Sequence, residues 1–347
     1  MEFTLAQRGR ALMDFEVAAR RAAAALQADS ERELAARGLG ANALPESMEE
    51  RHRVIEAALA DSGTWRLRGL LGDWCAANHG LAAEAAFEEV ADRLAPRLAE
   101  LDSGETTIDY NPGFEPPRYW SGVWFHRTHG GWDGHPQNGF VHGEIVHKRY
   151  VAKVFPGDLY GTRRRVAREA PRECYRRILE IGTSSGHYTA ALADVFPQAA
   201  ITGIDPSPRM LEQARRVGNE RGASWRLIVG IGERSGLPDA SFDLVTAYAI
   251  HHEIPPRIAV DLFAEIYRLL EPGGDFVIAD VKRTWEHDPM TAWRFDWVAK
   301  WGGEPFWRPT AKLDFAAMAR EAGFIDVAGY GLPPSGDPYV VRGRKPA

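Results

Sequence analysis

The C-terminal half of this 347-residue chain predicts a doubly wound α/β sheet, and three observations carry that expectation. Apolar runs of strand character recur from residue 176 onward, separated by stretches of helical spacing. The first run, Arg177-Ile-Leu-Glu-Ile181, ends in Gly182-Thr-Ser-Ser-Gly186 and opens into the helix-like Tyr188–Val195. The next run, Ala200–Ile204, ends on Asp205. Glycines let the backbone pass close to a ligand, and a carboxylate after the second strand accepts hydrogen bonds from both hydroxyls of a ribose. This βαβ unit therefore reads as a binder of an adenosine-containing cofactor.

Taken in order, residues 4–28 are Ala-rich and favour a helix, which a Gly/Asn/Pro segment at 38–45 breaks. Ser47-Met-Glu-Glu50 matches a capping box, and helical periodicity follows to about 61, from 64 to 78, and from 81 to 102 with Pro96 interrupting. From Thr106 to Gly157 the residues are Gly, Pro, His and aromatic with little periodicity, which predicts an irregular folded segment. A helix is expected over 163–175. Its arginines, Arg163, Arg164, Arg165 and Arg168, read as a solvated face. Strands follow near 177–181, 200–204, 225–229, 243–248 and 275–281, with helices near 187–195, 207–221 and 256–271. A helix at 313–322 precedes strands at 325–331 and 338–343, and the loop Pro333–Asp337 makes those two an antiparallel hairpin. The expected architecture is a seven-stranded, mostly parallel sheet whose last strand is antiparallel, with a helical N-terminal domain. Its units are a helical module over 1–105, an irregular His/aromatic-rich segment over 106–160 packing on the substrate side, and a nucleotide domain over 161–347.

Composition narrows the partners. A net charge of −6 argues against nucleic acid. Cys75 and Cys174 are the only cysteines, which argues against disulfide scaffolds and thiolate zinc and favours a cytoplasmic protein. No apolar stretch approaches the ~18 residues of a membrane span. The opening Met-Glu-Phe-Thr-Leu-Ala-Gln-Arg shows no basic-then-apolar signal pattern. Tryptophan is abundant, with eleven residues. One group is Trp120, Trp124 and Trp132, and another is Trp285, Trp293, Trp297, Trp301 and Trp307.

Further motifs narrow the cofactor. Glu180 ends the first sheet strand, Gly232-Glu-Arg234 follows the third, and Leu270-Glu-Pro-Gly-Gly274 leads into the fifth. Together with Asp205 and the glycine loop, this set resembles the class I S-adenosylmethionine-dependent methyltransferases over about residues 165–345. The resemblance implies S-adenosyl-L-methionine as the cofactor. It implies that Glu180, Gly182, Thr183, Ser184, Gly186 and Tyr188 surround the methionine and ribose portions. Asp205 would hold the ribose hydroxyls, with Pro206, Ser207 and Met210 near the adenine. Glu233 would contact the adenine amino group, with Arg234 beside it offering backbone contacts, and Gly232 and Ala249 would also bind the cofactor. One departure stands out: the family's middle glycine is Ser184, which the loop tolerates if its φ is negative. A nicotinamide-binding domain shares the βαβ physics, but the missing third glycine, Glu233 and the Pro-Gly-Gly turn count against it.

Methyl transfer is an in-line displacement, so the acceptor must be aligned, and deprotonated if it is a hydroxyl. The fourth strand ends Tyr248-Ala-Ile-His-His252, and imidazole suits a general base at neutral pH. His251, His252 and Tyr248 are the candidate catalytic residues, although the histidine pair can equally shape the loop. Asp280 reads either as a ligand-side carboxylate or as a strand-end hydrogen-bond partner. His126, His129, Asp133, His135, His142, Glu144 and His147 are dense enough to raise a metal site. No H-E-x-x-H or comparable helix-borne pair accompanies them, so no metal is expected. Trp124, His126, His129, His142, Trp285, Trp293 and Trp297 are instead the candidate substrate-binding residues. The segment 119–150 and a substrate-covering insert at 283–310 would form two sides of an acceptor cavity. The function expected is methylation of a small apolar or aromatic metabolite, chiefly at oxygen. N- or C-methylation of a small molecule or protein side chain, and a non-catalytic cofactor-binding partner protein, stand as alternatives. The expected partner is a small-molecule acceptor, with no nucleic acid or membrane, and a homodimer remains open.

Overall fold

All seven expected strands lie in one sheet, and an eighth joins its edge. The computed structural model describes residues 1–154 and 158–347, so positions 155–157 of the expected irregular segment lie outside the described residues. The strands are β1 (Thr107–Asp109), β2 (Arg177–Ile181), β3 (Ala200–Asp205), β4 (Arg226–Val229), β5 (Phe242–Tyr248), β6 (Leu270–Asp280), β7 (Ile325–Gly331) and β8 (Tyr339–Arg344). Their order is β1-β4-β3-β2-β5-β6-β8-β7, with β8 antiparallel to both neighbours and the other pairings parallel. The added strand comes from the segment expected to be irregular. Thr106 pins it by donating from Oγ1 to the carbonyl of Ala223 (2.8 Å), and Ile108 pairs with Leu227. Three residues are too short to show a period of two, so the sequence pattern could not reveal it.

The N-terminal helices are α1 (Gln7–Ala36), α2 (Met48–Ala58), α3 (Gly63–Glu88) and α4 (Ala91–Leu101). Ser47 caps α2 as its motif requires, accepting from the Glu50 amide. Two expected breaks are absent. α3 runs unbroken through 78–81, where the side chains of Asn78 and His79 bond back onto the carbonyls of Trp74 and Cys75 within the helix. The residues that follow, Ala82, Ala83, Ala86 and Phe87, are buried. Pro96 sits inside α4, where Leu94, Leu98 and Leu101 are buried on either side of it. Burying each leucine stabilises by about 1.5–3 kcal/mol, enough to offset the ~3 kcal/mol a proline costs within a helix.

Next come α5 (Asn138–Phe140), a π-helix (Val141–Val151) and α6 (Ala152–Val154), continuous with one another. α7 (Leu159–Ala167) leads into the sheet, ending earlier than the expected 175. Its Arg163 is buried with its guanidinium 4.9 Å from the Tyr248 ring, so the run is not wholly a solvated face. The sheet is flanked by α8 (His187–Val195), α9 (Pro208–Glu220), α10 (Pro256–Leu269) and α13 (Phe315–Glu321), the last preceded by α11 (Pro289–Trp301) and α12 (Trp307–Thr310) of the insert. One apolar core packs α10 and α13 on the sheet and another packs α7, α8 and α9 on its opposite face. Two further cores tie the helical module to the rest. Val17, Ala83 and Phe87 pack with Phe140 and Ile145, and Leu34, Ile55 and Leu59 pack with Trp293. No helix among the described residues is long and apolar enough to cross a membrane.

Candidate active site

The glycine loop leaves β2 with three left-handed residues, Gly182 (φ +78°), Ser184 (φ +49°) and Gly186 (φ +83°). A Cβ on Gly182 would fall 2.0 Å from Ile250 Cγ2, so glycine is required there for space as well as backbone. The negative φ expected at Ser184 is not found. Its amide instead donates to Asp205 Oδ2 at 2.8 Å, and that charge-assisted bond holds a conformation costing an L-residue about 1–2 kcal/mol. Asp205 ends β3, and its Oδ1 accepts from the Ser207 amide at 2.9 Å. Burial pushes its pKa up to about 7 against these two bonds.

The remaining residues of the cofactor set follow the carboxyl edge of the sheet. Glu180 is fully buried. Thr189 donates to its Oε2, Oε1 has no partner, and burial lifts its pKa to about 8. Thr183 Oγ1, beside it in the loop, is likewise buried without a partner. Ser207 caps α9 by accepting from the Met210 amide (3.1 Å) and donates to Asp133 (2.6 Å), while Met210 packs with Phe125 and Trp132. Gly232, Glu233 and Arg234 form a 3-10 turn after β4, with Glu233 accepting from the Tyr119 hydroxyl and Arg234 exposed. Tyr188 turns its hydroxyl to Thr246 Oγ1 (3.0 Å). Ala249, at φ +59°, donates to the carbonyl of Ala279 (2.7 Å). The donor set fits S-adenosylmethionine. Two unpartnered buried oxygens at the glycine loop suit its cationic amino group, and Asp205 lies where a ribose diol needs an acceptor.

At the end of β5, His251 is 0% exposed, packed on Phe263 and Phe315, with neither ring nitrogen hydrogen-bonded. Burial lowers its pKa to about 4. His252 directs Nδ1 at Asp280 Oδ1 (3.1 Å) and its ring lies against Trp307. Burial opposes its charge, but the Asp280 carboxylate prevails and raises its pKa to about 9. Asp280 also accepts from the amides of His251 and Val281 and lies 3.5 Å from Arg283, and is therefore a strand-end organiser. Tyr248 lies tilted against Tyr188, with the Arg163 guanidinium over its ring.

A cavity of about 710 Å³ opens between α1, α3, the π-helix and the insert. The π-helix determines its floor. In a π-helix residues five apart stack on one face, so His142 and His147 bring their rings to 4.4 Å and both line the cavity. This is a helix-borne histidine pair that a period of 3.6 does not reveal. The same helix also meets the glycine loop and the start of α8, where a Cβ on Gly143 would touch Ser185 at 3.0 Å and His147 Nδ1 lies 3.0 Å from His187 Nδ1. Burial lowers His142 to about 3 and holds His147 well below the imidazole range, so both are neutral.

Of the expected substrate residues, His126, His142 and Trp297 line this cavity. Trp124 and His129 pair on the surface at 4.7 Å, and Trp285 is exposed at the start of the insert. Trp293 is fully buried against Trp65 in the joint with the helical module. The cavity adds residues with no motif: Arg20, Arg68 and Arg294 from three helices, Glu304, and Trp301 and Trp307. His126 stands between Glu304, which meets Nδ1, and Glu253, whose Oε1 lies 3.2 Å from Nε2. Burial opposes its charge, but the two carboxylates lift its pKa well above the ordinary value. Among the described residues this trio alone has metal-ligand spacing, within 4.8 Å, and a shared imidazolium already accounts for its geometry.

Residues 178–274 match a family model described as a methyltransferase domain. A demethylmenaquinone methyltransferase of Deinococcus radiodurans is 36% identical over 121 residues, 35% of this chain and 49% of that protein. A trans-aconitate 2-methyltransferase of Streptomyces coelicolor is 38% identical over 29% of this chain and 33% of its own length. The chain thus spans about a third to a half of these relatives. A phosphoethanolamine N-methyltransferase of Haemonchus contortus, solved with S-adenosyl-L-methionine, aligns at a TM-score of 0.45 with 18% identity, over 61% of this chain and 58% of that one. On the family match, residues 178–274 form a methyltransferase domain of the class that uses S-adenosylmethionine as its cofactor.

Proposed function

We propose that the chain, built on this methyltransferase domain, methylates a hydroxyl of a small, largely apolar or aromatic molecule held in the 710 Å³ cavity. The carrying observation is that one element, the π-helix, both lines the cavity and lies on the glycine loop through Gly143 and His147. Bound S-adenosylmethionine supplies an electrophilic methyl group on a sulfonium. Glu180, Thr183, Asp205 and Glu233 hold it by the contacts their free oxygens and positions allow. Trp297 and Trp307 give the acceptor flat apolar walls that keep water out, and Trp301, itself exposed, also lines the cavity.

The proton of the hydroxyl needs a taker. His251 is sealed in the core and His252 is protonated at neutral pH, so neither serves as a free base. Glu304 is 8% exposed, its Oε2 is buried without a partner, and His126 fixes its other oxygen. It is the proton acceptor of this proposal, and neutral His142 and His147 offer ring nitrogens that orient the hydroxyl. The test is methyl-labelled S-adenosylmethionine with a panel of aryl and alkyl hydroxy compounds. Label is expected in an organic-soluble product carrying an O-methyl group, and Glu304→Gln is expected to lower turnover by about 10²–10⁴-fold. Label confined to the protein fraction, or Glu304→Gln turnover equal to the parent's, overturns the proposal.

A further inference from the structure

The charges lining the cavity fall into two groups. His126 and Glu304 pair with each other, while Arg20 of α1, Arg68 of α3 and Arg294 of α11 are three cations of which Arg68 feels the other two. Arg68 is the unusual group. It is 7% exposed, its guanidinium lies 4.1 Å from the Trp297 ring and 5.3 Å from Trp65, and its Nε is buried without a hydrogen-bond partner. Among the described residues no carboxylate pairs with it. Stacking on indole orients a guanidinium but does not neutralise it, and a buried cation without an anion opposes folding. Burial and the like charges of Arg20 and Arg294 lower its pKa to about 10, outweighing Glu31.

Glu31 is already engaged. Its Oε1 accepts from Arg294 and from Gln27 Nε2, each at 2.9 Å, leaving Gln27 Oε1 buried and unpartnered. Arg20 has no hydrogen bond or ion pair among the described residues. The other cavity acids are engaged with other groups: Asp73 is paired with Arg127, Glu304 with His126, and Glu84 feels the charges of His135 and His129. Gly69 and Gly72 leave space beside Arg68 on α3, where only its own Nη1 would approach a Cβ on Gly72, at 3.7 Å.

Resting on the acceptor-cavity reading above, we infer that the acceptor carries an anionic oxygen group, a carboxylate or phosphate monoester, which Arg68 binds with Arg20 and Arg294 beside it. The fork of Arg68 offers two parallel N–H donors to such a group, and its stacking on Trp297 and Trp65 keeps that fork oriented in advance. Arg68 and His79 are eleven residues apart on α3, roughly 16 Å at ~1.5 Å per residue. The turn that carries His126 packs beside His79, where Thr128 Oγ1 would stand 4.0 Å from a Cβ on Gly80. The ligand is therefore elongated: an anion at Arg68, an apolar body along Trp297, Trp301 and Trp307, and the reacting group toward His126 and Glu304.

The experiment measures binding of 2-naphthoate, 2-naphthyl phosphate and neutral 2-naphthamide to the full chain by tryptophan fluorescence, with S-adenosylhomocysteine present. At least one of the two anions is expected to bind ten-fold or more tightly than the amide, and which one does tells carboxylate from phosphate. Arg68→Met, which keeps the length and the indole contacts, is expected to abolish that preference while raising Tm, because it removes an unpaired buried charge. Arg68→Lys is expected to keep part of the preference with affinity lowered about ten-fold. Anions and amide binding within three-fold of each other, no anion binding below 1 mM, or an unchanged preference in Arg68→Met would each overturn the inference. S-adenosylhomocysteine affinity, titrated separately, is expected to be the same in all variants. Its absence would remove the methyl-transfer reading while leaving the anion preference to be judged on its own.

Discussion

Ser184 keeps the left-handed backbone of a glycine because Asp205 accepts its amide hydrogen. Relieving that strain with Ser184→Gly is expected to leave stability unchanged or raised by up to ~1 kcal/mol, since glycine also loses more entropy on folding. S-adenosylhomocysteine affinity, read by calorimetry, is expected to stay within about three-fold. Asp205→Ala removes the loop's anchor and, as proposed, the acceptor for the ribose. A loss of about 1.5–3 kcal/mol is expected, so affinity falls roughly 10–100-fold. His252 gives a pH signature. Its pKa rises from 6.5 to about 9 on folding, so its stabilisation is complete below pH 6.5 and is lost as pH climbs through 9. Urea midpoints of the parent and His252→Gln are therefore expected to converge between those values, and a constant gap would contradict the pairing with Asp280. Asp205 and Glu233 could be placed at strand ends from the sequence because their spacing follows the strands. Arg68 was not legible, since its meaning lies in the absence of a carboxylate beside it in space.

The π-helix is the element on which the account turns. A 3.6-residue pattern search sees no face in Val141–Val151, because its lining residues repeat every five positions. Gly143 faces Ser185 so closely that a side chain there must displace one of them. Gly143→Val is expected to destabilise by about 1–3 kcal/mol, measured by denaturant unfolding, and to weaken cofactor binding by opening the glycine loop. The strands and their helices, by contrast, were legible to within a few residues, because the core of each face imposes a clean period. The expected break near residue 80 failed for the opposite reason: packing of Ala82, Ala83 and Ala86 outweighs the weak helix preference of Asn78, His79 and Gly80.

At the scale of the whole molecule, the helical module supplies the cavity wall that neither the nucleotide domain nor the insert possesses. Trp293 holds that arrangement, fully buried among Leu34, Ile55 and Leu59. Trp293→Ala is expected to cost about 3–5 kcal/mol and to expose residues 34–65 to protease, while the glycine loop retains its cofactor. The sequence suggested two cavity walls, 119–150 and 283–310, and both contribute. The third wall, with Arg20 and Arg68, lay hidden in helices whose composition is ordinary. The central claim is that the cofactor groove and this cavity are one site. A crystal structure of the full chain with S-adenosylhomocysteine tests it most directly. The sulfur is expected to open onto the cavity between the π-helix and the insert. A sulfur facing away, with residues 126–147 and 294–307 both out of its reach, would contradict the account.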